Sequence, residues 1–177
     1  MSRAVFLDRD GVLNNSIQID GKPYPPKNLE ELAILPGVLN ALIKIKKYDL
    51  KTIVITNQPD IARGKTSVSA VEEINSYLME CLPLDAFYMC PHDDSVFCNC
   101  RKPKPGLILT AAKDFGINLE SSFVVGDRWR DIAAGQSVGC KCFFVDYGYD
   151  DVRPLPPYQC VSSLWEAATE IVREIED

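Results

Sequence analysis

The sequence predicts an α/β fold in three layers, with helices covering both faces of a mainly parallel sheet, and three observations carry that prediction. Short apolar runs, Ala4-Val5-Phe6-Leu7, Ile53-Val54-Ile55 and Phe123-Val124-Val125, alternate with segments whose apolar residues recur at helical spacing. Each of those runs ends in groups able to do chemistry: Asp8 and Asp10, then Thr56, then Asp127. Ligands in such sheets bind beyond the carboxyl ends of the strands, so the three ends mark one candidate site.

The elements follow in chain order. After the first strand, Asn14 to Leu35 reads as a long loop or flap, because Gly21-Lys22-Pro23 and Pro25-Pro26 break any regular pattern. From Pro36-Gly37 onward, Val38, Leu39, Leu42, Ile43 and Ile45 recur at helical spacing, while Lys44, Lys46 and Lys47 mark a solvated face. Lys51 to Ile55 is a β-branched strand ending at Thr56-Asn57-Gln58, and Ser67 or Ser69 can cap a helix running to Leu78 or Met79. A strand over Ala86 to Met89 precedes a helix opened by Pro105-Gly106 and closed by Gly116. Phe123 to Val125 is a strand, Ile132, Ala133 and Ala134 lie on a helix that stops at Gly139, and Cys142 to Val145 is a further strand. Leu164, Ala168, Ile171 and Ile175 form one stripe of a terminal amphipathic helix.

Length and charge bound the remaining possibilities. A chain of 177 residues suits a single domain, 1–177, with a sizeable core and a small insertion. Its 46% hydrophobic and 25% charged content is that of a globular protein, and no apolar run reaches the roughly 20 residues of a membrane helix. The N-terminus lacks the apolar core of a secretory signal, so a soluble, cytoplasmic monomer without a membrane partner is expected. A net charge of -6 argues against a broad basic surface for nucleic acid and leaves a local basic pocket as the means of drawing in an anion.

Seven cysteines in such a chain fit metal ligation or buried thiols better than a disulfide framework. Cys90, His92, Cys98 and Cys100 place four soft or borderline ligands in one short stretch, which matches a closed tetrahedral Zn²⁺ site, and His92 is the only histidine in the sequence. Cys140 and Cys142 run into an apolar strand with no histidine nearby, so they read as structural; Cys81 and Cys160 carry no signal.

The chemistry is concentrated in Asp8-Arg9-Asp10-Gly11. Carboxylates at i and i+2 of an extended segment face the same way, repel each other, and suit a hard cation such as Mg²⁺. Asp127 can complete that site, and Asp131, four residues on, can orient the metal's waters from the first turn of its helix. Thr56 offers a hydroxyl, and Arg101 with Lys102 adds two cations directly after the Cys/His cluster. Each feature alone is ordinary: a turn, a strand end, a surface charge. Their order at successive strand ends suits a phosphoryl group, whose transfer depends on positioning and charge neutralisation.

These residues resemble the four ordered motifs of the haloacid dehalogenase superfamily of phosphatases: Asp8-Arg9-Asp10-Gly11, Thr56-Asn57-Gln58, Arg101-Lys102-Pro103, and Gly126-Asp127-Arg128 with Asp131. More narrowly, Ile61-Ala62-Arg63-Gly64 and the cysteine cluster running into Arg101-Lys102-Pro103 resemble the D-glycero-D-manno-heptose 1,7-bisphosphate 7-phosphatase and histidinol-phosphatase branch. The resemblance implies a Rossmann-like core, no large cap domain, Mg²⁺-dependent hydrolysis of a small-molecule sugar phosphate, and a structural Zn²⁺ loop over residues 90–100. It implies that Asp8 is the nucleophile, that Asp10 is the acid and base, and that Asp8, the Asp10 carbonyl and Asp127 hold Mg²⁺. Thr56 and Lys102 would then stabilise the phosphoryl group, with Asn57, Gln58, Arg63, Arg101 and Arg128 contacting substrate. Pro59-Asp60 and the short gap between His92 and Cys98 depart from the usual heptose pattern. The alternatives are a histidinol-phosphate phosphatase, a polynucleotide 3′-phosphatase, which the acidic charge disfavours, and a catalytically silent zinc-bearing module, which the full set of Asp8, Asp10, Lys102 and Asp127 disfavours.

Overall fold

The computed structural model describes residues 2–176 and contains one six-stranded parallel sheet and one small hairpin. The chain runs β1 (Arg3–Leu7), β2 (Ile17–Ile19), β3 (Lys22–Tyr24), α1 (Val38–Lys46), β4 (Leu50–Asn57), α2 (Val68–Cys81), β5 (Ala86–Cys90), α3 (Gly106–Phe115), β6 (Phe123–Gly126), α4 (Trp129–Gln136), β7 (Lys141–Val145), β8 (Gln159–Val161) and α5 (Leu164–Glu176). The main sheet has the order β5-β4-β1-β6-β7-β8. The chain therefore builds outward from β1 to β5 on one side, crosses back, and builds from β6 to β8 on the other. The reversal at β1 opens a crevice at its carboxyl end, where such folds bind ligands.

Alternation along each strand divides the core. Val5, Leu7, Val54, Val125 and Val145 face one side and meet α1, α2 and α5, whose buried residues include Leu42, Ile45, Ile74, Leu78, Ala168 and Ile171. Ala4, Phe6, Ile53, Ile55 and Val124 face the other and meet Ile108 and Ala111 of α3 and Ile132 of α4. Strands buried on both faces explain why the sequence shows unbroken apolar runs. Ser67 caps α2 by accepting a hydrogen bond from the Ala70 amide at 3.1 Å, and Gly116 closes α3 in a left-handed conformation.

Two elements differ from the sequence expectation. The segment read as a featureless flap contains the β2-β3 hairpin, turned by Asp20-Gly21 with φ of 50° and 74°, the positive pair that a two-residue hairpin turn requires. Strand β8 was not foreseen; two of its three residues are exposed, so it has no apolar signature. Cys140 and Cys142 are buried against the core as expected. Among the described residues no helix is long and apolar enough to cross a membrane.

Candidate active site

Parallel register brings the expected strand ends together. Leu7 pairs with both Val54 and Val125, and the Asp8 amide donates to the Val125 carbonyl at 3.0 Å. Asp8 therefore leaves β1 directly beside Gly126-Asp127. An oxygen from each of Asp8, Asp127 and Asp131 lies within 4.8 Å of the other two. Two glycines make this approach possible. A Cβ on Gly11, whose φ is 85°, would stand 2.0 Å from Asp127 Oδ2, and one on Gly126 would stand 2.1 Å from Asp131 Cβ.

Lys102 enters from the loop that precedes α3 and is 2% exposed. Its ammonium lies 2.9 Å from Asp8 Oδ1, 2.6 Å from Asp131 Oδ1 and 2.7 Å from the Ile55 carbonyl, which matches its three protons. Burial opposes the charge on Lys102, but Asp131 and Asp8 outweigh it and push the ammonium's pKa up. Burial and the Asp131 charge raise Asp8 to about 7 against the pull of Lys102, and burial with the Asp8 and Asp131 charges raises Asp127 well above the carboxylate range. Three carboxylates thus cluster with one buried ammonium, which pairs with Asp8 and Asp131, while Asp127 Oδ1 has no hydrogen-bond partner among the described residues. This oxygen-only donor set with a surplus of negative charge and an orphaned lone pair fits a hard divalent cation.

Asp8 and Asp10 both border the cleft, as their spacing suggests, although strand alternation is not what carries Asp10 there. The strand ends at Leu7, and the amides of Val12, Leu13 and Asn14 converge on the Arg9 carbonyl at 3.3, 2.8 and 3.2 Å, so the chain turns before period-two alternation reaches Asp10. The Asp10 carboxylate borders the cleft but is held by Arg9, Asn14 and Gln58, and the third acid beside Asp8 and Asp127 is Asp131.

The cleft above these acids encloses about 130 Å³. Asn57, Arg101, Lys102 and Arg128 border it as the sequence suggests. Asn57 also braces Lys102, donating to its carbonyl and accepting from its amide, both at 3.1 Å. Arg101 is held by Asp94 at 3.0 Å and by the His92 carbonyl at 3.2 Å, and Arg128 pairs with Asp151 at 2.6 Å. Three other residues sit elsewhere. Thr56 is 1% exposed, and its hydroxyl accepts from Gln58 Nε2 at 2.9 Å instead of bordering the cleft. Gln58 is equally buried, its amide spent on Thr56 and Asp10 and not on the cleft. Arg63 lies in an adjoining recess beside Asp60, Asp93 and Asp94. Sequence reasoning missed Arg130, Pro23 of the hairpin and Pro25 just after it, which also border the cleft. The Asp20-Gly21 turn was the available signal for the hairpin.

The second cluster sits beside the first. Asn57 pairs with Cys90 across β4 and β5, and the Gln58 amide donates to the Cys90 carbonyl at 2.8 Å. Ligand atoms of Cys90, His92, Cys98 and Cys100 all lie within 4.8 Å of one another; Cys90 Sγ is 3.9 Å from Cys98 Sγ, and His92 presents Nδ1 at 3.4 Å from Cys100 Sγ. A tetrahedron of metal–sulfur bonds about 2.3 Å long has edges of about 3.8 Å, so the donors could hold a metal ion.

Comparison with known proteins agrees with this geometry. The HAD-hydrolase-like family model matches residues 99–167. The chain is 40% identical over 146 residues to a D-glycero-beta-D-manno-heptose-1,7-bisphosphate 7-phosphatase of Helicobacter pylori, covering 79% of this chain and 81% of that protein. It is 34% identical over 166 residues to the corresponding alpha-anomer phosphatase of Photorhabdus laumondii, covering 86% and 87%. Its fold superposes with a TM-score of 0.85 and 28% identity on the D,D-heptose 1,7-bisphosphate phosphatase of B. bronchiseptica, complexed with magnesium and phosphate, over 97% of this chain and 99% of that one.

Proposed function

The chain belongs to the haloacid dehalogenase-like hydrolases, within the group of heptose 1,7-bisphosphate 7-phosphatases, and from that membership we propose that it hydrolyses the 7-phosphate of D-glycero-D-manno-heptose 1,7-bisphosphate with Asp8 as nucleophile. The observation that carries the reading is Asp8 itself: a carboxylate at the switch point of the sheet, bordering the cleft, with Oδ1 held by Lys102 and by the Arg9 amide at 2.8 Å. Asp8 attacks phosphorus while the bond from phosphorus to the sugar oxygen breaks, and Asp10 gives its proton to that oxygen. Asp10 then takes a proton from water, whose oxygen attacks the aspartyl-phosphate. The Asp8–phosphorus bond breaks, inorganic phosphate leaves, and both acids are restored.

Asp8, Asp127 and the Asp10 carbonyl would hold Mg²⁺, with Asp131 orienting its waters; the ion would offset the repulsion between a carboxylate and an anionic phosphate. Lys102, beside Asp8, neutralises charge on the transferring group, and Arg101 and Arg128 supply cations at the cleft for the rest of the anion. Asn57 acts by fixing Lys102. The Cys/His cluster would hold a structural Zn²⁺ with four protein ligands and no open position for water. The Arg101 hydrogen bond to the His92 carbonyl supports the reading that the loop braces Arg101.

The deciding experiment compares kcat/KM with Mg²⁺ for both anomers of the heptose bisphosphate and for histidinol phosphate, alongside Asp8→Asn. A preference for one anomer of the bisphosphate is expected, with no turnover by Asp8→Asn. Preference for histidinol phosphate would overturn the substrate, and residual turnover by the variant would overturn the nucleophile.

A further inference from the structure

Arg9 separates the two motif acids, and the reaction as described leaves it without a task. It is fully buried, with 0% exposure, which is costly for a guanidinium unless its donors are matched. The match is directional. Nε donates to Asp10 Oδ1 at 3.1 Å and Nη2 to Asp10 Oδ2 at 3.2 Å, a fork against one carboxylate. Nη1 turns the other way and donates to Asn75 Oδ1 at 2.9 Å, and Asn75 lies in the middle of α2. Asp10 accepts further bonds from Asn14 Nδ2 at 2.9 Å and Gln58 Nε2 at 2.8 Å. Its side chain nevertheless keeps 15% exposure toward the cleft.

We propose that Asn75 and Arg9 are positioning residues, a strut from α2 that fixes the carboxylate of Asp10 beside the scissile oxygen. The inference rests on the acid role given to Asp10 above. A carboxylate on a single methylene rotates freely unless its oxygens are tied. Proton transfer to a leaving oxygen needs hydrogen-bond reach, and a misplacement of about 1 Å is enough to cost a large factor in rate. A buried ion pair kept only for stability would have no reason to grip the one carboxylate that must meet the leaving group. Asn75 is half-buried and touches the reaction only through Arg9, which makes it the residue to change.

The test measures kcat/KM for the sugar bisphosphate and for p-nitrophenyl phosphate with Asn75→Leu, Asn75→Asp and Asp10→Asn. Because leaving-group departure is the first irreversible step, kcat/KM reports phosphoryl transfer to Asp8 alone. An aryl oxide departs without a proton, whereas a sugar alkoxide needs one. Asn75→Leu is expected to lose about 10-fold on the sugar phosphate and under about twofold on the aryl phosphate, in line with disturbed acid catalysis. Asn75→Asp, which keeps an acceptor for Arg9, should recover most of the loss. Equal losses on both substrates in Asn75→Leu, with a clear split in Asp10→Asn, would overturn the strut and leave the acid standing. No split in Asp10→Asn would overturn the acid role and the strut with it.

Discussion

Two clusters of ligand-type side chains lie at the same end of this molecule, and they are assembled in opposite ways. Asp8 and Asp127 come from opposite halves of the chain and meet only because β1 pairs with β6. Cys90, His92, Cys98 and Cys100 come from one short stretch and need the sheet only as an anchor for Cys90. The first centre is a property of the whole fold, held before any ion arrives by Lys102 and by glycines that admit the acids. The second is a property of a loop and of the ion it would enclose. They touch through Arg101 and Lys102, which follow the loop and border the cleft.

The largest expected effect comes from breaking the first centre alone. Gly11→Ala must either abandon a φ of 85° or displace Asp127, since the new Cβ would lie 2.0 Å from its Oδ2. Turnover should fall by at least about 100-fold, the usual consequence of misplacing a catalytic group by an ångström. Metal analysis of the Cys/His cluster should be unchanged. Loss of both together would mean that the two centres are one unit and would break the comparison.

The converse substitution should cost less. Cys98→Ser removes one of the four donors that would hold Zn²⁺, so elemental analysis of the variant is expected to find less zinc than in the parent protein, with turnover reduced about 10- to 100-fold through Arg101. The β5 strand and α3 on either side should keep their far-ultraviolet circular dichroism. Undiminished metal content would refute the ligand set.

The same contrast explains what could be read from the sequence. The cysteine cluster was legible because its ligands are local and chemically rare. The sheet was legible because β1, β4 and β6 are buried on both faces and read as apolar runs, and Asp8, Lys102 and Asp127 were legible because each follows such a run or the cluster. What escaped depends on contacts that no local pattern encodes. The turn at Arg9 that brings Asp10 to the cleft is one such contact. Gln58 faces Asp10 and Thr56 instead of a ligand, and Asn75, on an otherwise unremarkable helix, meets Arg9 only in three dimensions. Strand β8 is too short and too exposed to leave a trace.

The smallest effect is one of stability, and its sign separates the centres. In metal-free protein, burial and the Asp131 charge hold Asp8 up at about 7, and burial with the Asp8 charge also raises Asp127 well above its ordinary value. Above about pH 4 the unfolded chain has released those protons while the native state keeps them, so unfolding releases protons and stability falls as pH rises through 7. The decline should amount to a few kcal/mol at most, on the order of 1 to 3 given the coupling among the acids. Mg²⁺ binds the ionised carboxylates and should flatten the slope, stabilising more at pH 8 than at pH 5. Urea unfolding across this range checks it. Asp127→Asn should lose much of the slope, whereas Cys98→Ser should keep it between pH 5 and 6, below the pH near 7 at which the Cys98 thiol itself ionises. Metal-free stability that rises from pH 5 to pH 7 would show that the three carboxylates are compensated by something other than a cation.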